Sequence, residues 1–93
     1  MSSATLLGAV EQELQNERAT ALGESGRRVE VTLAALTDGS DPRPLDDRIH
    51  DAATAVWYYM ILRESLHFYD HDVALAHYNV PGYVRARVGV IRR

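Results

Sequence analysis

Apolar residues recur through the first third of the chain at helical spacing and never lose phase. Leu7, Val10, Leu14, Ala21/Leu22, Val29, Leu33 and Leu36 fall on one stripe, and the span from Leu7 to Leu36 is about eight turns at ~3.6 residues per turn. Gly23 and Gly26 lie inside that span, each costing about 1 kcal/mol in a helix interior. The signals of a true break are incomplete. Ser25 as an N-cap would have Arg28 at the position where a capping box places Glu or Gln, and Gly23 as a helix stop would be followed by Glu24, which offers no apolar contact. The phase therefore predicts one continuous helix over about 4–37, capped by Ser2 or Ser3.

The segment Asp38-Gly39-Ser40-Asp41-Pro42-Arg43-Pro44 is a loop, because each proline biases the residue before it away from helical dihedrals. Pro44 suits the first position of a second helix over about 44–69, with Asp46 and Asp47 at its positive end. Its first half is amphipathic, with Leu45, Ile49, Ala53 and Val56 on one face and Arg48 and Asp51 on the other. Its second half, Val56 to Leu62 with Leu66, Phe68 and Tyr69, is apolar or aromatic all round and is expected to be buried on every side. Asp70 or Asp72 can cap a third helix over about 73–78, stopped by Asn79 in the left-handed region. Pro81 opens a fourth over about 81–88, ended by Gly89. The expected fold class is all-α, a long antiparallel helical hairpin with two short C-terminal helices in one domain, 1–93.

With 93 residues, such a chain buries only about 60–65% of its unfolded surface, and chains of this size commonly need a disulfide, a metal or a partner subunit. There is no cysteine, which excludes disulfides and zinc–thiolate sites. Met1 to Val10 has neither the basic start nor the apolar stretch of a signal peptide, and the longest apolar run is far short of the ~20 residues that span a membrane. A soluble, cytoplasmic protein without a membrane partner is expected. All ten basic residues are arginine, which with frequent alanine suggests a GC-rich bacterial genome.

Folding the first helix back on the second through so short a loop pairs Leu36 with Leu45, Leu33 with Ile49, and Val29 with Ala52 or Ala53. Gly26 and Leu22 then fall opposite Val56/Trp57 and Met60, so the glycines make room for bulky neighbours. Arg18 is placed against Glu64 and Leu14 beside His67. A helix of 34 residues is about 51 Å long, against a diameter of roughly 30–35 Å for a compact chain of this size. The overhang and the all-round apolar half of the second helix together predict a homodimer with a four-helix core.

Three constellations could carry chemistry. Glu64-Ser-Leu-His67 has the Glu-x-x-His spacing of di-iron bundle sites, and His71 joins it if the helix continues. These make Glu64, His67 and His71 the candidate metal ligands, although an Arg18–Glu64 pair and a hydrogen-bonded His67 explain the same residues without a metal. The acid-free arginine tail, Arg85, Arg87, Arg92 and Arg93, could touch phosphate. The net charge of −3 opposes unaided nucleic-acid affinity, and a helix-turn-helix at Asn79–Pro81 lacks the usual spacing. Trp57, Tyr58, Tyr59, Phe68 and Tyr69 could line a pocket or an interface. No catalytic residues, no cofactor motif and no phosphate loop can be read.

The run Asn16-Glu17-Arg18, Ala21-Leu22-Gly23, Gly26 to Glu30 and Leu33, followed by Ala55-Val56-Trp57, Arg63-Glu64, Asp70-His71, Tyr78 to Pro81, Val84 and Arg87, resembles a family of small all-helical bacterial proteins of unknown function. The resemblance covers about residues 10–89. It implies no activity, and it makes segments 16–30 and 55–64 parts of one facing surface. The expected function is thus that of a non-enzymatic, homo-oligomeric interaction or regulatory module. The alternatives are a metal-binding bundle using Glu64 and His67, and a weak nucleic-acid binder using the arginine tail.

Overall fold

The structure is a computed structural model and describes residues 3–90. Ser2 as a cap, and Arg92 and Arg93 of the tail, lie outside the described residues. Helix α1 runs unbroken over Ser3–Ala34, through both glycines, and tightens into a 3₁₀ turn over Ala35–Thr37. The loop is built from side-chain turns. Asp38 Oδ1 accepts the Ser40 amide, Asp41 Oδ1 accepts that of Arg43 (each 2.9 Å), and the Arg43 guanidinium braces Asp41 and Asp51. Helix α2 covers Leu45–Ser65, with Pro44 as its N-cap rather than its first helical residue. The carbonyl of Pro44 accepts the Asp47 and Arg48 amides. Arg48, read as a solvent-facing residue, instead reaches back to donate to the Ala35 and Leu36 carbonyls, groups that a helix end leaves unpaired.

Helix α2 stops at Ser65, four residues before the expected 69. His67 sits at φ 66°, its amide bonds the Glu64 carbonyl, and the Phe68 amide bonds that of Arg63. This is a Schellman stop with histidine where glycine usually stands; histidine is among the few side chains that visit this region. Asp70 then caps α3 (His71–His77) by accepting the Val73 amide, two residues earlier than predicted. A second Schellman stop closes α3 at Asn79, φ 52°, with Asn79 bonding Ala76 and Val80 bonding Leu75. The last helix, α4, covers only Gly82–Arg85. Turns carry the chain on to Gly89, whose φ of 79° a side chain would resist.

The core lies where α1 and α2 meet and where α3 and α4 fill one side of their groove. Val29, Ala52, Ala53, Val56, Ala74, Val80 and Val84 are each 5% exposed or less. The register is a turn away from that predicted. Val29 gathers with Val56, Tyr59 and Tyr78 rather than with Ala52 and Ala53 alone. Gly26 faces the Tyr78 hydroxyl and the Tyr59 ring, and no atom lies within 4 Å of where a Gly23 side chain would begin. Tyr78, from the segment that follows α3, takes the space at Gly26. Nor is the second half of α2 buried on every side, because Trp57, Tyr58 and Ile61 are 45%, 54% and 39% exposed.

The molecule measures 57 × 28 × 25 Å, with a radius of gyration of 16.6 Å against about 12 Å for a compact chain of this length. The excess is the first half of α1. Every residue from Ser3 to Thr20 is exposed, an arm of about 27 Å reaching past the rest of the fold.

Candidate functional site

Of the three candidate metal ligands, Glu64 and His71 come together and His67 does not join them. Glu64 Oε1 lies 2.7 Å from His71 Nε2, so Glu64 turns to the start of α3, and no Arg18–Glu64 ion pair forms among the described residues. His67, displaced by the helix stop, points elsewhere and bonds the Tyr69 hydroxyl through Nδ1 at 2.9 Å. Leu14, expected beside it, is exposed on the arm. His71 therefore joins Glu64 through the turn and not along a continued helix. Among the described residues no three His, Asp or Glu side chains form a group that could hold a metal ion.

The two described arginines of the tail are occupied. Arg87 pairs with Asp46 at the start of α2, and Arg85 donates through Nε to the Val80 carbonyl. Both serve to hold the C-terminal turns against the fold.

The aromatic residues are dispersed. Tyr59 stacks edge-on against Tyr78 with ring centroids 5.3 Å apart. Trp57 lies against Gly89 in a shallow cleft of about 170 Å³, well under the ~300 Å³ of a typical small-molecule site. Arg63 lies over Phe68 at 5.4 Å from its centroid and ties the turn down by donating to the Asp70 carbonyl. Burial, and then the neighbouring Tyr59 hydroxyl, push the Tyr78 phenol up to about 12. An unfolded tyrosine ionises near 10, so the neutral phenol favours the fold; that contribution is complete below about pH 10 and is lost as pH rises toward 12. Phenolate absorbance should therefore show one of the five tyrosines titrating late, and Tyr78→Phe should abolish that step.

What remains is surface. Leu6, Leu7, Val10 and Leu14 on the arm are 46–63% exposed, too many on one face to be scattered surface residues. Residues seven apart on a helix keep one face, drifting only about 20° per step, so Leu7, Leu14, Ala21 and Arg28 form a single line. That line runs into an open groove of about 260 Å³ between α1 and α2, walled by Ala21, Glu24, Ser25, Arg28, Ala55 and Tyr58. The groove lies on the side of the hairpin away from α3 and the turn that follows it, which meet α1 at Gly26 and Val29. The facing of segments 16–30 and 55–64 is realised at this groove. The sequence points to the arm through its length, but the groove becomes legible only once the register is fixed.

These features define a small helical-hairpin protein with an uncovered arm. The chain belongs to the family of unknown function DUF6665, whose family model matches residues 3–93. No curated protein and no solved structure matches it. No helix among the described residues is long and apolar enough to cross a membrane.

Proposed function

We propose that this protein is a non-enzymatic, self-associating helical module of a bacterial cytoplasm, working through the surface formed by the arm and the groove. The observation that carries the reading is the imbalance between core and surface. Among the described residues eleven apolar side chains are buried, of which the largest fully buried are Val29 and Val84, while fourteen large apolar residues are at least 39% exposed. An 18-residue helix standing alone in water is marginal even with strong helix formers, and this one contains Gly8, Thr5, Asn16 and Thr20. The arm gains stability from a cover, and a homodimer is the simplest source of one.

A regulatory or scaffolding role follows from the same surface, since a module that orders itself by association can be tuned by concentration or by a competing helix. Light scattering of the purified chain at tens of micromolar should give twice the chain mass of 10.4 kDa. A single 10.4 kDa species would defeat the proposal.

A further inference from the structure

Resting on that reading, we infer that the arm of one copy lies antiparallel in the groove of a second, with each arm filling the other's groove about a two-fold axis near residues 17 and 18. Three features of the chain select this occupant. The first is continuity. The stripe Leu7, Val10, Leu14 runs directly into Ala21 and Arg28 of the groove, so a helix following the stripe must enter the groove. The second is size. The arm presents large side chains, and the groove floor presents Ala21, Ser25 and Ala55. Small residues on one helix let the large ones of another approach closely, and a two-fold repeats each such contact. The third is charge. Arg18 is the one basic residue of the arm, beside Glu11, Glu13 and Glu17. Antiparallel helices whose paired residue numbers sum to about 35 bring Leu14 over Ala21 and Val10 over Ser25, with Leu7 on the aliphatic stem of Arg28. Glu17 then meets the partner's Arg18, and Arg18 the partner's Glu17. A pairing centred on the apolar part of the arm would instead crowd Glu11 and Glu13 of both copies together.

The chain has no cysteine, which gives a direct test. The double variant Leu14→Cys/Ala21→Cys places thiols about 10.5 Å apart along one helix. That exceeds the ~7 Å Cα limit for a disulfide, so any bridge must join two copies. Gln12→Cys/Ala19→Cys has the same spacing about 160° round the helix, on the opposite face, and serves as the control. On mild oxidation the first variant should run almost wholly as a covalent dimer, and the control should stay at least about ten-fold less linked. If light scattering finds dimers but the two variants cross-link equally, the arm-in-groove pairing is overturned while self-association stands. If the chain is monomeric and neither variant links, both fall, and the occupant is some other protein.

Discussion

Leu7→Gln/Leu14→Gln should convert the protein into a monomer at concentrations where the parent is a dimer. Glutamine keeps the helix propensity of leucine to within a few tenths of a kcal/mol, so the change tests burial and not the helix itself. Fully covering a leucine side chain is worth about 1.5–3 kcal/mol. Four such side chains per dimer, each partly covered, put about 5 kcal/mol at stake, or roughly a thousand-fold or more in dissociation constant. Sedimentation over a concentration series reads this directly. Val73, which is 57% exposed and lies on α3, away from the groove, supplies the control, and Val73→Gln should leave the mass unchanged. Helix content should fall with the dimer, since an uncovered arm of this composition frays.

Gly23 and Gly26 of α1 should respond in opposite directions. Nothing lies within 4 Å of a side chain added at Gly23, so Gly23→Ala should stabilise the protein by up to about 1 kcal/mol through helix propensity. At Gly26 the first carbon of a side chain would collide with the Tyr78 hydroxyl and touch the Tyr59 ring at 3.4 Å. Gly26→Ala forces Tyr78 aside and should cancel the propensity gain. Gly26→Leu drives a full side chain into the Tyr59–Tyr78 pair and should cost about 2–3 kcal/mol or more. Urea denaturation of the three variants measures the series, and the late tyrosine titration should disappear in Gly26→Leu.

The continuous first helix was legible because eight turns of unbroken phase outweigh two glycines whose flanking residues offer no cap. The loop and the Asp70 and Asn79 caps were legible for a similar reason, each resting on a local side-chain rule. The end of α2 was not. The rule for helix stops looks for glycine, and His67 in the left-handed region gives no warning in a run of apolar and aromatic residues. That one stop separates His67 from Glu64, so the Glu-x-x-His pattern dissolves into a Glu64–His71 pair and a His67–Tyr69 pair. The purpose of the glycines was half legible. Crowding at a small residue was foreseeable, but the crowding residue at Gly26 includes Tyr78, which arrives from a segment 52 positions later that no hairpin register includes. The exposed arm was legible as an overhang, through length alone, and the groove emerges only from the packing of Ala21, Ser25 and Ala55.

Amide hydrogen exchange across Ser3–Thr20, followed as the protein is diluted, reaches the central claim that this arm is ordered by a second copy. The account predicts protection of at least about a hundred-fold in the dimer, lost on dilution through the dissociation midpoint, while the amides of Val29 and Val56 stay protected throughout. Arm amides that exchange freely at every concentration, or that stay equally protected in a dilute monomer, would contradict it.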